Sequence, residues 1–111
     1  MEVTKVHGVR DYTALVEPLL ARAPARHNLI LGLLDVLARR PDTYEGYHLW
    51  AVTDDGHVVG AAMQTPPYGL ALAEPIDDAS LVPLAAAIVG AGVRLPGVVG
   101  GVAEANAFAD A

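Results

Sequence analysis

The spacing of apolar residues along the chain predicts a strand followed by two helices. Residues 1–6 alternate apolar and polar side chains, and Gly8 follows shortly after them. This pattern indicates a short strand that ends before Gly8. Two stretches then repeat apolar residues every three or four positions, as one buried face of a helix does. The two stripes are Tyr12, Leu15, Val16, Leu19 and Leu20 in the first helix and Leu29, Ile30, Leu33, Leu34 and Leu37 in the second.

Caps and prolines predict where these helices begin and end. Asp11 is a good N-cap for the first helix, and the second begins around residue 24 or 28 and ends at Pro41. Pro18 lies inside the first helix, where it lacks an N–H donor and its ring clashes with the preceding turn. We therefore expect the first helix to kink or split near Glu17.

The middle of the chain predicts a β-hairpin. Two runs rich in Val and Ala, residues 49–53 and 57–65, flank Asp54-Asp55-Gly56, a turn sequence typical of hairpins. Neither run alternates regularly with polar residues. We therefore expect both faces of the sheet to be buried under helices.

The pattern after the hairpin completes a single domain spanning residues 1–111. Pro66 and Pro67 should end the second hairpin strand, because proline cannot donate to a strand ladder. Asp77 or Ser80 caps a third helix that runs through Ala91, with the glycines at 90 and 92 as its stop. The other predicted elements are strands at 69–73 and 95–99 and a fourth helix at 102–111. The predicted class is α/β (α+β), with a mixed, largely antiparallel sheet flanked by helices in the order β-α-α-β-β-β-α-β-α.

Charge and composition exclude several kinds of partner and chemistry. The net charge is −6, and all of it falls in residues 51–111, where Arg94 stands against seven carboxylates. Nucleic acids and anionic membranes need a basic face, so neither is expected as a partner. The chain has no cysteine, which excludes disulfides and thiolate chemistry. No apolar run reaches the ~18 residues of a membrane span and no signal-peptide core is present, so we expect a cytoplasmic protein.

Histidine, serine and glycine spacing gives no motif for catalysis or metal binding. The four histidines fall on separate predicted elements, so no metal site is expected, and His48 and His57 are interpreted as a solvent-facing cross-strand pair. Ser80 is the only serine and is interpreted as a helix cap rather than a nucleophile. The glycines at 97, 100 and 101 lie between a strand and a helix, where a tight turn is favoured over an anion-binding nest.

The most site-like group combines Trp50, Gln64 and Tyr68 with the Pro66-Pro67 pair. Prolines that end a strand leave carbonyl groups unpaired beside a tyrosine hydroxyl and a glutamine amide, which is typical of the polar edge of a substrate cleft. In the alternative interpretation, Trp50 belongs to the core and Tyr68 covers the edge of the sheet.

Several segments, taken in order, resemble the N-terminal domain of bacterial GNAT-family N-acetyltransferases. They are PARHNL at 24–29, LGLL at 31–34, LWAV at 49–52, DGHVVGAA at 55–62, TPPY at 65–68, LPGVVG at 95–100, and Phe108. The resemblance covers nearly the whole chain. It implies a GNAT-like sheet and, in a full-length protein, transfer of an acetyl group from acetyl-CoA to a small-molecule or peptide amine.

The chain departs from that family at the cofactor loop. GNAT enzymes carry a Gln/Arg-x-x-Gly-x-Gly/Ala loop that opens a helix and binds the CoA pyrophosphate, whereas residues 74–80 read EPIDDAS. Carboxylates there repel a pyrophosphate. The resemblance therefore carries no cofactor-binding or catalytic residue over to this chain, and acetyl-CoA is expected only in the full-length protein, held by a missing C-terminal half.

These observations lead to two alternatives from different classes of protein. In the first, the chain is an N-terminal fragment of an acetyltransferase, because the predicted helix at 102–111 has no stop signal, and it dimerises through Val98, Val99, Val102 and Phe108. In the second, it is a non-catalytic α/β interaction or dimerisation module. A pyrophosphate loop encoded beyond residue 111 would favour the first alternative, and a stop codon there would favour the second.

Overall fold

Five strands form one sheet within the part of the chain that the structure describes. The computed structural model describes residues 1–40, 42, 46–66, 70–73, 78–91 and 98–99. In chain order the elements are β1 (Glu2–Val6), α1 (Val9–Leu20), α2 (Asn28–Arg39), β2 (His48–Asp54), β3 (His57–Gln64), β4 (Leu70–Leu72), α3 (Leu81–Gly90) and β5 (Val98–Val99). A 3₁₀ turn, Asp78–Ser80, leads into α3.

The strands lie side by side in chain order, β1-β2-β3-β4-β5. β1 to β4 are antiparallel neighbours, and β5 pairs parallel to β4. A parallel neighbour requires a crossover connection, and α3 lies in that connection. The predicted class, a mixed and largely antiparallel sheet flanked by helices, is confirmed. The predicted order also holds through β5, and the predicted helix at 102–111 lies outside the described residues.

The β2–β3 turn forms because its two central residues tolerate a left-handed backbone. Asp55 has φ 52° and Gly56 has φ 77°, so the two-residue turn matches the type I′ geometry that suits the twist of a hairpin. A β-bulge follows, since Thr53 opposes Val58 but Val52 opposes Gly60. The extra residue shifts the register by one position for the rest of the hairpin.

His48 and His57 do not face each other, so the predicted cross-strand pair is wrong. His57 opposes Asp54 beside the turn, whereas His48 opposes Gln64 at the far end of the hairpin. In an antiparallel pair, a residue far from the turn can only oppose another residue far from the turn. The two histidines therefore lie at opposite ends of the same hairpin.

Helices bury both faces of the sheet, as the unbroken Val and Ala runs predicted. α1 and α2 cover one face and α3 covers the other. Side chains of β2 alternate between them, with Leu49 and Ala51 toward α1 and α2 and with Trp50 and Val52 toward α3. The buried helical residues of the first layer are Tyr12, Val16, Leu19, Leu20, Ile30, Leu34 and Leu37, and those of the second are Leu81, Leu84 and Ile88.

Both predicted helical stripes were too wide by one leucine. Leu15 is 39% exposed and Leu29 is 49% exposed. Leu15 lies instead in a shallow groove with Pro18 and Gly56, beside the hairpin turn. Each helix packs on the sheet along one side, so an apolar residue at the margin of its stripe stays partly in solvent.

α1 begins earlier and ends later than its sequence signals predicted. It starts at Val9, with Gly8 at the N-cap position and Asp11 already in the first turn, so Asp11 is not the cap. It also runs without a break through Pro18 to Leu20, so the helix is not split near Glu17. Pro18 lies in the last turn, where the N–H of Ala21 still bonds to the Glu17 carbonyl at 2.8 Å. Proline cannot donate the helical hydrogen bond to the carbonyl of residue 14, but this loss does not end the helix.

Side-chain hydrogen bonds join α1 to the sheet and to the residue that precedes α2. The buried Tyr12 hydroxyl lies 2.9 Å from the Trp50 carbonyl oxygen and 3.1 Å from that of Ala62, so its one proton serves two acceptors on neighbouring strands. Burial raises the pKa of Tyr12 far above its usual range, although the hydrogen bond to Ala62 opposes this shift, and the hydroxyl stays a donor. His27 Nδ1 lies 2.9 Å from the Leu20 carbonyl oxygen and closes the α1–α2 connection.

Candidate functional site

Three polar side chains surround Trp50 at the end of the sheet away from the hairpin turn. Lys5 of β1 is the register partner of Trp50, and His48 of β2 is the register partner of Gln64 of β3. Register partners, and residues two apart on one strand, share a face of the sheet. Lys5, His48, Trp50 and Gln64 therefore lie on the face covered by α3, and we refer to these four residues as the Trp50 cluster.

Trp50 forms the floor of this cluster. Its side chain is 1% exposed and packs in the core beneath α3. The His48 ring stacks on it, with ring centroids 5.6 Å apart and an interplanar angle of 22°. Lys5 Nζ lies 5.8 Å from the centroid of the Trp50 ring, within the range of a cation–π contact. The structure thus places Trp50 in the core, where the alternative interpretation of the sequence put it.

His48 is the titratable centre of the cluster. The residue is half-buried, and its Nδ1 atom is buried without a hydrogen-bond partner among the described residues. Burial, and secondly the positive charge of Lys5, lower the pKa of His48 below its ordinary value of 6.5. The imidazole is therefore neutral at pH 7. A neutral imidazole accepts a proton, so the cluster pairs a weak base with a neighbouring ammonium group.

Gln64 extends the cluster toward the parallel pair of strands. It is buried, and its register partners are His48 on one side and Leu70 of β4 on the other. Leu70 in turn pairs with Val98 of β5. The structure thus brings together two of the three predicted cleft residues, Trp50 and Gln64. The third, Tyr68, lies outside the described residues.

Ser80 lies where α3 begins, and it does not cap the helix as predicted. Its backbone is already helical, with φ −65° and ψ −22°, and its side chain makes no capping hydrogen bond. The preceding 3₁₀ turn runs directly into α3, so the extended backbone that capping requires is missing. The Ser80 side chain instead packs on the strand below it. Its Oγ lies 2.7 Å from the point that a Cβ would occupy on Gly60.

A second concave surface runs between α1 and α2. This groove has a volume of about 460 Å³, an apolar floor that includes Leu34, and the charged residues Arg10, Glu17 and Asp35 along it. Asp35 also lies 3.1 Å from Arg39 Nε on the next turn of α2. Charges of both signs line the groove, so it does not select a ligand of one charge.

Neither a metal centre nor a membrane-spanning helix is present in the described part of the chain. Among those residues, no three His, Asp or Glu side chains are grouped closely enough to hold a metal ion. None of the described helices is both long enough and apolar enough to cross a membrane.

Comparisons with known proteins give no relative for this chain. No protein-family model matches it, and neither the search of curated proteins nor that of solved structures finds a match. The topology and the side chains of this chain are therefore the basis for inferring its function.

Lys5 and His48 are the members of the cluster that sequence reasoning missed. The alternation of residues 1–6 places Val3 and Lys5 on one face of β1, but the pairing of β1 with β2 cannot be read from it. The pairing of His48 with Gln64 cannot be read from the sequence either, because it depends on the β-bulge. Counting back from the turn without a bulge places Met63, not Gln64, opposite His48.

Proposed function

We propose that this chain is the N-terminal, cofactor-loop-deficient part of a GNAT-type N-acetyltransferase. The observation that carries this proposal is the topology: two helices between β1 and β2, an antiparallel run through β4, then α3 and a strand parallel to β4. The GNAT resemblance implies this element order.

In this proposal the chain shapes the acceptor side of the enzyme and does not hold the cofactor. The candidates for the acceptor cleft are Gln64 and Tyr68, together with Trp50, which is buried on the same face of the sheet as Gln64. No residue of this chain is assigned a catalytic role. Acetyl-CoA belongs to the remainder of a longer, cytoplasmic protein, because Glu74, Asp77 and Asp78 place carboxylates where a pyrophosphate loop is needed.

Binding of acetyl-CoA to the isolated chain tests the missing loop. Calorimetric titration should give no measurable binding, because carboxylates near the start of α3 oppose the anionic cofactor. A dissociation constant in the low micromolar range would overturn this part of the proposal.

Sequencing the gene beyond codon 111 and expressing the longer product test the enzyme itself. We expect a downstream Gln/Arg-x-x-Gly-x-Gly/Ala segment, and we expect the longer protein to release free CoA thiol from acetyl-CoA only when a suitable amine is present. In that protein, Gln64→Leu should raise the KM for the amine and leave the KM for acetyl-CoA unchanged. Glu17→Gln, on the surface of α1, is the control and should change neither. A stop codon after Ala111 would contradict the acetyltransferase proposal.

The second candidate function is a non-catalytic interaction or dimerisation module. One observation favours it, namely the absence of charge from every residue of α3, including those on its exposed side. A stop codon after Ala111, combined with self-association of the chain, would establish this alternative in place of the enzyme.

A further inference from the structure

α3 carries two apolar stripes, and only one of them is buried. Its sequence, LVPLAAAIVG, contains no charged residue and no side chain that forms hydrogen bonds. Leu81, Leu84 and Ile88 face the core beneath the sheet. Val82, Ala86, Val89 and Gly90 are exposed on the other side, and together with Ala85, which is half-buried and also packs against the core, they form what we call the outer face of α3.

The exposure of this outer face is large for apolar side chains. Val82 is 60% exposed and Val89 is 77% exposed. The five residues line a shallow depression of about 440 Å³. A helix that is apolar on all sides is normally covered on all sides, so the outer face has the character of an interface.

The shape of the outer face suits a second helix. Ala85, Ala86 and Gly90 have at most one side-chain carbon, and a Cβ added at Gly90 would meet no other atom within 4 Å. Small residues at positions i, i+3, i+4, i+7 and i+8 allow two helices to approach closely along their whole contact.

The order of residues on the outer face is the same in both directions. Val82 and Val89 lie at equal distances on either side of the Ala85-Ala86 pair. A two-fold axis through this pair would therefore place Val82 of one copy against Val89 of the other, and the alanines against each other. This is the self-complementarity that a symmetric interface requires, in which residue i contacts j and j contacts i.

Charge also favours a second copy of this chain as the occupant. The chain carries a net charge of −6, so two copies repel each other wherever carboxylates meet. Residues 81–90 contain no charge, and copies can approach there without pairing like charges. A charged partner, in contrast, would find no complementary charge on this face.

We propose that two copies of this chain associate through the outer face of α3, with the helices antiparallel about a two-fold axis at Ala85 and Ala86. A ten-residue helix is only about 15 Å long. The contact therefore falls below the ~1,200 Å² of a stable complex, and the dimer is weak, with a dissociation constant of tens of micromolar or more. The proposal does not depend on the acetyltransferase proposal, since it uses only residues of α3.

Sedimentation equilibrium from about 5 to 500 µM tests the association, and we expect a reversible monomer–dimer equilibrium in this range. Ala86→Glu should weaken the dimer about tenfold or more, because it brings two carboxylates together at the axis. Its matched control is Ala38→Glu on α2, which is also exposed and adds the same charge, and which should leave the dimer unchanged. Thermal melting of both variants at low concentration checks that each stays folded. A monomer throughout the range, or equal effects of the two variants, would overturn the proposal.

Cysteine cross-linking tests the antiparallel geometry, since the chain has no native cysteine. Ala86→Cys should form a disulfide-linked dimer on mild oxidation, whereas Ala38→Cys should not. Val82→Cys should also fail, because antiparallel packing separates its two copies by roughly 10 Å along the helix, too far for a disulfide. Efficient cross-linking of Val82→Cys would indicate parallel helices and overturn the two-fold arrangement. Protection of Ala86→Cys from a thiol reagent in the monomer would show that the chain covers the face itself, and would overturn the proposal as well.

Discussion

The two helical layers of this molecule bury their inner sides in the same way but differ on their outer sides. α1 and α2 present charged residues to solvent, including Arg10, Asp11, Glu17 and the ion pair of Asp35 with Arg39. α3 presents only Val, Ala and Gly. The first layer therefore has a solvated, charged outer surface, whereas the second exposes apolar side chains.

The layers also differ in how they attach to the sheet. The first layer adds hydrogen bonds to its apolar contacts, through the Tyr12 hydroxyl, which lies beside two carbonyl oxygens of the sheet. On the α3 side, the described contacts with the core are apolar, and Ser80 rests directly on the glycine beneath it. We infer that directional hydrogen bonds help to fix the position of α1, whereas close packing on Gly60 helps to fix the position of α3.

Removal of the Trp50 ring should give the largest effect, because Trp50 is the biggest side chain on the α3 side of the sheet. Trp50→Ala should lower the free energy of unfolding by about 3 to 5 kcal/mol, the usual cost of emptying an aromatic core site. Asp55→Asn, in the exposed hairpin turn, is the control and should change it by only a few tenths of a kcal/mol. Urea unfolding measures both. Equal midpoints for Trp50→Ala and wild type would contradict the burial of Trp50.

Gly60→Ala tests whether close packing positions α3. The new Cβ would lie 2.7 Å from Ser80 Oγ and 3.3 Å from Ser80 Cβ, so the Ser80 side chain or the start of α3 must shift, and we expect a loss of about 1 to 3 kcal/mol. Ser80→Ala removes the nearer atom and should be close to neutral on its own, because the buried Oγ has no partner among the described residues. The double variant should recover part of the loss. A simple sum of the two single effects would show that Gly60 and Ser80 are not coupled.

Tyr12→Phe tests the hydrogen bond between the Tyr12 hydroxyl and the sheet, on the face covered by α1 and α2. The change removes the only proton shared by the Trp50 and Ala62 carbonyl oxygens and leaves the ring in place. We expect a loss of about 1 to 2 kcal/mol, the cost of leaving a buried acceptor without its donor. Thr13→Val on the same helix is the control, since its hydroxyl bonds only to the Val9 carbonyl one turn earlier. If both variants lose the same free energy of unfolding, the hydrogen bond from Tyr12 to the sheet stabilises the fold no more than the local bond of Thr13.

The sequence predicted the fold well because its main signals are local. The type I′ turn at Asp55-Gly56, the unbroken strand runs beside it and the period of the helical stripes all act within a few residues. The wrong predictions concern single residues near helix ends, where residue type alone does not decide the backbone. α1 continues through Pro18, and Ser80 does not cap α3 because the 3₁₀ turn already supplies helical backbone.

The candidate site was less predictable, because its residues meet only through the register of the sheet. Trp50 and Gln64 were identified from the sequence. Lys5 joins them through the β1–β2 pairing, and His48 through a bulge that moves Gln64 into the opposing position. No local signal encodes a bulge of this kind in a run of Val, Gly and Ala, because several registers bury such small residues equally well.

The pH dependence of stability should give the smallest effect, and it isolates His48 within the Trp50 cluster. The folded protein holds the pKa of His48 below 6.5, first through burial and then through the charge of Lys5. As the pH falls through 6.5, His48 becomes protonated in the unfolded chain but stays neutral in the folded chain. The free energy of unfolding therefore decreases until the pH passes the lower pKa of the folded state. His48→Gln cannot take up this proton, and its stability should decline less than that of wild type between about pH 7 and pH 5.

A titration of the His48 ring by NMR separates the two causes of this shift. Lys5→Gln removes the charge but leaves most of the burial, so the pKa of His48 should rise only part of the way to its ordinary value. Full recovery of the ordinary value in Lys5→Gln would make charge the main cause. If the free energies of unfolding of wild type and His48→Gln depend on pH in the same way, protonation of His48 is not coupled to folding. That result would also mean that His48 packs less tightly on Trp50 than the stacked rings indicate.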